Sequence, residues 1–396
     1  MTQIEEQPRR RTYRGNCHCG AFVYEIDLPE LDTVIDCDCS FCSRKGHLYV
    51  QTSEDANFRV VKGSEEKLTS YTFGAASKIH KFCPKCATSL LSRMPNGAPH
   101  LKLLLNARAM QDVDIRTLQR RHVFYSKINS QYLPPEHKGD IPPSIEGGRL
   151  YMGSCHCGAV TLALTSKPLD ESSEERAAEC NCNICQRNAY VWLRPKPEHV
   201  VLSGPEDAIG RYVFADGLTS KTFCRTCGVN MTNIRNELPE EEVLALSEQA
   251  RQIYWRGKAT YPVNARVLHG VDVGKLKKVL FDGATLMPST YVNPNPHGKQ
   301  ALWASIRHHR SQEQLVTRAY RDSQMQRRAS SPGPPSRGHR GGYATSFQAG
   351  IVQVPAEETN AAKATCGVRM LVTLPLVGGD DLASKQGGIL AGKVDW

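Results

Sequence analysis

Fourteen of the fifteen cysteines fall into one pattern that occurs twice: CxC, then CxCxxC, then CxxC. The first set is Cys17 and Cys19, then Cys37, Cys39 and Cys42, then Cys83 and Cys86. The second is Cys155 and Cys157, then Cys180, Cys182 and Cys185, then Cys224 and Cys227. The opening MTQIEEQPRRRTYRG has charges and no apolar core of a secretory signal, which points to the cytoplasm or nucleus. Reducing compartments keep thiols reduced, so these cysteines are expected to ligate metal rather than form disulfides. The lone Cys366 belongs to neither set.

Seven thiols divide as four plus three. A structural zinc takes four protein ligands, whereas a catalytic zinc commonly takes three and leaves one position open. Residues i and i+2 of a strand face one side, and a CxxC turn presents two sulfurs together, so CxC plus CxxC closes a four-thiolate site. The closed sites are then Cys17, Cys19, Cys83 and Cys86, and Cys155, Cys157, Cys224 and Cys227. The triads Cys37, Cys39, Cys42 and Cys180, Cys182, Cys185 are the open sites and the catalytic candidates, giving about two zinc ions per domain. Another reading keeps one zinc per repeat and treats the triads as core or redox thiols, but the polar Asp38 and Asn181 beside them suit a core patch poorly. His18 and His156, between the paired cysteines, are expected to point away from the metal and to pack or support it. Gly20 and Gly158 are expected to supply backbone freedom.

The repeat extends beyond cysteine. GNCHCGAFVYEI, FGAASKIHKFCPKC and LNARAMQDVDIRTL return as GSCHCGAVTLAL, FADGLTSKTFCRTC and VNARVLHGVDVGKL, with Phe73 and Phe214 each ten residues before a CxxC pair. Alternating runs such as Phe22, Tyr24, Ile26 and Val160, Leu162, Leu164 read as strands. The expected fold is mainly β: two tandem small zinc-stabilised antiparallel β domains at 13–126 and 149–290, a linker at 127–148, and a basic, low-complexity, largely disordered tail at 291–396. The linker is rich in Pro, Gly and polar residues, and the tail in Arg, Ser, Pro and Gly. An insert at 236–254, with Val243, Leu246, Ala250 and Ile253 at helical spacing after Pro239, predicts one short amphipathic helix capping its own domain.

The formal charge of +10 overstates the basic character, because filled thiolate sites would lower it by about 6. The tail alone has 13 Lys and Arg against 7 Asp and Glu. Nucleic acid is thus expected, if at all, through the tail alone. No stretch has the apolar length of a membrane helix.

G-x-C-H-C-G, C-x-C-x-x-C and F-C-x-x-C together resemble the glutathione-dependent formaldehyde-activating enzyme family, also called the centromere protein V/GFA domain, over about 13–126 and 149–290. The resemblance implies a small, mainly β, zinc-stabilised fold, with structural zinc on the CxC and CxxC cysteines and reaction-site zinc on the CxCxxC cysteines. It implies condensation of glutathione with formaldehyde to S-(hydroxymethyl)glutathione, a carbon–sulfur lyase-type activity, with a small thiol and a small aldehyde as partners. The copies depart from the family pattern at Ala87, where the second has Gly228, and at Asn188-Ala189, where the first has Lys45-Gly46. Arg44, Lys45 and Arg187 follow the triads and could attract glutathione carboxylates, although solvated surface charge is the plainer reading. A non-catalytic zinc-binding protein or nucleic-acid interaction module is the alternative.

Overall fold

The computed structural model describes residues 10–52, 57–127, 132–173, 175–287 and 291–294. Short runs rich in β-branched and aromatic residues, separated by Gly-, Pro- and Asn-containing turns, form strands. In the first repeat they are β1 (Arg10–Asn16), β2 (Val23–Pro29), β3 (Thr33–Cys37), β4 (Leu48–Thr52), β5 (Arg59–Lys62), β6 (Thr69–Tyr71), β7 (Ile79–Phe82), β8 (Ser89–Arg93), β9 (Leu103–Asn106) and β10 (Gln119–Val123). Helix α1 (Ser40–Lys45) separates β3 from β4. The second repeat reproduces them as β11 (Arg149–Ser154), β12 (Thr161–Ser166), β13 (Ala177–Cys180), β14 (Trp192–Leu193), β15 (Val200–Ser203), β16 (Ile209–Val213), β17 (Thr219–Cys224), β18 (Asn230–Arg235), β19 (Val263–Asn264) and β20 (Lys278–Phe281), with α2 (Asn183–Asn188) between β13 and β14.

Each repeat builds a three-stranded sheet, β1-β2-β5 or β11-β12-β15, and a seven-stranded one. The larger sheets run β10-β3-β4-β9-β8-β7-β6 and β20-β13-β14-β19-β18-β17-β16, the same topology twice. Pairing is antiparallel except at one edge, where β10 lies parallel to β3 and β20 to β13. The mainly β class expected from the sequence is therefore found, with a parallel edge that alternation alone does not reveal. That edge brings Val123 opposite Cys37 and Phe281 opposite Cys180, so each closing strand ends beside a triad.

The insert forms two helices rather than one, α3 (Glu240–Ala245) and α4 (Glu248–Arg256). Leu246 is extended, and Ser247 caps the second helix by accepting the Ala250 N–H at 3.2 Å. A capping side chain satisfies an amide that has no partner in the preceding turn, so the helix restarts there. Val243, Ala250 and Tyr254 pack with Leu218, which gives the insert the core-capping role expected of it. Among the described residues no helix is long and apolar enough to cross a membrane.

The two repeats share their packing. Phe41 of α1 is buried in the core built mainly by the second repeat, and Ile184 of α2 in the core built mainly by the first. The helices meet at their C-caps: Gly46 and Ala189 both have left-handed backbones, φ +58° and +53°. A Cβ on Gly46 would lie 2.4 Å from that of Ala189, so only glycine permits this approach. Arg108 clamps the junction by donating to Gly46 O at 2.6 Å and Gln186 O at 3.3 Å. Its counterpart Arg266 donates to Ala189 O at 2.7 Å and Ser43 O at 3.2 Å.

Candidate metal centres

Neither CxC pair lies on a strand, contrary to the sequence expectation. β1 ends at Asn16, and Cys17–Gly20 is a turn closed by the Gly20 N–H on Cys17 O at 2.9 Å. The turn needs Gly20 at φ +68°, and Gly158 at φ +80° serves the same purpose, as the sequence reading anticipated. Both sulfurs still reach one point, because the turn curls them together. Cys83 and Cys86 follow β7 in a turn closed by the Ala87 N–H on Cys83 O at 2.9 Å.

The four expected groupings are those the fold assembles: Cys17, Cys19, Cys83 and Cys86; Cys155, Cys157, Cys224 and Cys227; and the two triads, each group with its sulfurs within 4.8 Å of one another. Adjacent sulfurs are 3.5 Å apart for Cys17 and Cys19 and for Cys19 and Cys83, and 3.6 Å for Cys155 and Cys157. A tetrahedron with Zn–S bonds of about 2.3 Å has edges of about 3.8 Å, so the donor sets fit zinc. The N–H groups of Phe22 and Val160 point at Cys17 Sγ and Cys155 Sγ at 3.3 Å, which stabilises thiolate.

His18 and His156 join no donor set. Each is held by a tyrosine of the other repeat: Tyr212 Oη lies 2.7 Å from His18 Nδ1, and Tyr71 Oη 2.7 Å from His156 Nδ1. Phe214 and Phe73 flank the same imidazoles, with ring centres 5.0 and 4.5 Å away. This accounts for the ten-residue spacing kept in both copies, since each Phe must reach across to the other repeat's histidine. Burial pushes the His156 imidazolium down to about 4, so the ring packs as a neutral group.

Two further segments complete the exchange. Tyr132 stacks on His156 at 4.6 Å and donates to its carbonyl at 2.8 Å. Tyr291 stacks on His18 at 4.6 Å and donates to its carbonyl at 3.0 Å. Pro135 fills the space where a Cβ on Gly158 would sit, and Pro294 the space at Gly20. Tyr-x-x-Pro is thus a further repeated block, and its second copy lies in the segment read from sequence as tail. Residues 295–396, with Cys366, lie outside the described residues.

The basic residues after the triads are not solvated charge. Lys45 is buried and its Nζ donates to Ala87 O at 3.0 Å and Gly228 O at 2.5 Å, one carbonyl beside each CxxC. One ammonium satisfies both knuckles. A second lysine there would add a buried like charge, and the second repeat has Asn188 instead. Arg187 is buried against Asn16, with Nε 3.3 Å from its carbonyl and Nη2 3.2 Å from Oδ1. Arg44 donates to Ser40 O at 2.8 Å and lies 4.7 Å over the Tyr132 ring.

Each triad joins the end of a strand to the start of α1 or α2. Cys39 and Cys182 occupy the N-cap positions of those helices, and Cys39 Sγ accepts the Cys42 N–H at 3.4 Å. Hydrogen bonds from Cys37 and Cys42 hold the Cys39 thiol far below its ordinary range, and Cys180 and Cys185 do the same for Cys182. The walls of the two triads differ. In the first, Tyr49 Oη lies 3.8 Å from Cys42 Sγ and joins His47 Nδ1 at 2.8 Å, His80 Nδ1 at 3.1 Å and Ser92 Oγ at 3.1 Å. Burial lowers both imidazoles, His80 to about 3, and raises the phenol, so these groups are neutral. In the second, Trp192 Nε1 donates to Cys185 Sγ at 3.5 Å, and the Lys221 ammonium sits 4.6 Å over that indole. Sequence reasoning passed over these residues, although each pair has a common offset from a cysteine: His47 and Tyr190, Tyr49 and Trp192, His80 and Lys221, Ser92 and Asn233.

A family model described as "Glutathione-dependent formaldehyde-activating enzyme" matches residues 12–127 and 150–259. A crystal structure of a Rhodobacter sphaeroides protein, a Northeast Structural Genomics target, is 30% identical over 27% of this chain and 99% of its own, with a TM-score of 0.24.

Proposed function

The chain belongs to the glutathione-dependent formaldehyde-activating enzyme family, and from that premise we propose that it is a zinc-dependent carbon–sulfur lyase-type enzyme resembling S-(hydroxymethyl)glutathione synthase. Its substrates on this reading are glutathione and formaldehyde, or a related small thiol and aldehyde. The observation that carries the reading is the separation of thiols: each repeat keeps three together, apart from the four that close its CxC and CxxC turns. Four thiolates suffice to pin the fold, so a protein that used zinc for stability alone would have no need of the triads.

Cys37, Cys39 and Cys42, and Cys180, Cys182 and Cys185, would hold the reaction-site metal. Bound there, zinc supplies one open position for a substrate thiolate or a carbonyl oxygen. The reaction adds a thiol across a carbonyl: the S–H proton ends on oxygen, the sulfur pair forms the C–S bond, and no redox partner is needed. The chain's part is to hold the triad at a strand end and helix start. In the first repeat, Tyr49 Oη also offers a neutral hydroxyl beside Cys42, with His47, His80 and Ser92 fixing its orientation.

Metal analysis of the full chain is expected to give about four zinc ions, two per repeat; a value near two removes the triad sites. Exchange spectroscopy on formaldehyde and glutathione should show faster interconversion with wild type. Cys39→Ser and Cys182→Ser report which triad is responsible. No acceleration by a fully metallated wild type would favour a zinc-stabilised binding module.

A further inference from the structure

The two triads have unequal electrostatic surroundings. Lys221 is 7% exposed, and its ammonium sits 4.6 Å over the Trp192 ring and 5.5 Å over the Tyr190 ring. Among the described residues it makes no ion pair with a carboxylate. Trp192 is also the group that donates to Cys185 Sγ, so one indole separates the ammonium from the triad. Tyr190 Oη and Asn233 Oδ1, the latter on the residue paired with Lys221 across β17 and β18, are buried without a hydrogen-bond partner. Orphaned polar atoms beside a largely buried lysine mark a place that a polar guest would complete.

The first repeat also has an orphaned polar atom, His47 Nε2, but not the lysine beside it. His80 replaces Lys221, and its imidazole is absorbed by Tyr49 and Ser92. Its own lysine, Lys78, lies two residues earlier on the strand side, half-exposed, with Nζ 5.1 Å over the Tyr49 ring. The more exposed of the two lysines is screened more strongly by solvent. Carboxylates flank both triads alike: the half-buried Asp38, bonded to Ser126, and Asp36 beside the first, and the exposed Asp282, bonded to Asn181, and Glu179 beside the second.

A divalent zinc on three thiolates carries a net charge of −1, and a fourth anionic ligand raises the repulsion. We propose that the second triad is the anion-accepting member of the pair, binding a small thiolate at its open position, and that Lys221 is the residue that determines this preference. A thiol bound there would give its proton to solvent, and the three cysteines would hold the metal that takes its sulfur. The inference rests on the reading of the triads as open zinc sites and adds that they divide the work unequally.

The test uses full-length cobalt(II)-substituted protein and 2-mercaptoethanol, following the increment in the thiolate-to-cobalt charge-transfer band. Cys39→Ser leaves the second triad to be titrated, and Cys182→Ser the first. The Cys39→Ser protein is expected to bind thiolate more tightly than the Cys182→Ser protein. Adding Lys221→Met should weaken binding roughly thirtyfold, the effect of a unit charge about 8 Å away at an effective dielectric near 20. Lys221→Arg, which keeps the charge, should retain most of the affinity. Equal affinities at the two triads, or a Lys221→Met protein with full cobalt content and affinity within threefold of its parent, would overturn the proposal. Should Lys221→Met fail to fold, a metallated Lys221→Arg protein with thirtyfold weaker binding overturns it equally. Binding without formaldehyde chemistry would sink the enzyme reading and leave this one standing; turnover with thiol affinity indifferent to Lys221 would do the reverse.

Discussion

Phe41 offers the most direct test of how the repeats are joined. It lies between the triad ligands Cys39 and Cys42, yet its ring is 1% exposed inside a core drawn mainly from the second repeat. The ring centre is 4.5 Å from that of His80, 5.1 Å from Tyr71 and 5.3 Å from His156, so it touches both repeats. Truncating a fully buried phenylalanine costs about 3–5 kcal/mol, from lost transfer energy and the cavity left behind. For a cooperative unit of this size that corresponds to a melting shift of roughly 6–10 °C, at about 2 °C per kcal/mol. Phe41→Ala should therefore lower the melting temperature by that amount and loosen the second repeat along with the first. Calorimetry measures the shift, and hydrogen exchange in β12 and β18 reads the second repeat directly. Ile184→Ala should act in the reverse direction, loosening β2 and β9, at about 2–4 kcal/mol. A shift below about 2 °C, or lost protection confined to the repeat that carries the mutation, would refute the shared core.

Further outcomes follow from backbone, strap and charge. Ala87 sits at φ +55° where the second repeat has Gly228, so Ala87→Gly should stabilise by up to about 1 kcal/mol. Gly228→Ala should cost more than that, because the Phe82 ring occupies the Cβ position at 2.8 Å; equal melting temperatures for the two variants would contradict this. Ending the chain after residue 290 removes Tyr291 from His18, whereas ending it after 294 keeps it; thermal melts should show the shorter protein less stable by about 1–3 kcal/mol. No difference between them would mean that the strap adds nothing. His80 has its imidazolium lowered by burial to about 3 from an ordinary 6.5, so the unfolded chain binds the proton first as pH falls. Its contribution is complete above about pH 6.5 and is lost progressively toward pH 3, with roughly 2 kcal/mol gone at pH 5. Denaturant titrations at pH 7 and 5 should show His80→Phe losing less stability than wild type, acid loss of zinc being common to both.

What the sequence determined by itself is whatever local chemistry encodes. Seven cysteines exceed one tetrahedral metal by three, and their spacing is covalent, so the four-plus-three grouping was legible and the fold reproduces it. Period-two patterning likewise announced the strands, because side-chain alternation belongs to a single segment. Even the offsets of Phe73 and Phe214 were visible, without their purpose. The tertiary structure decided the rest, because the partners are far apart along the chain: His18 meets Tyr212, Lys45 meets Gly228, and Tyr291 returns to the first repeat. A lysine after a cysteine cluster looks like surface charge until a second chain segment closes over it, since burial is a property of the assembled packing. For the same reason two triads with identical spacing acquire different walls. Lys221 is an ordinary strand lysine by its sequence neighbours, and only folding sets its largely buried side chain over Trp192 beside Cys185.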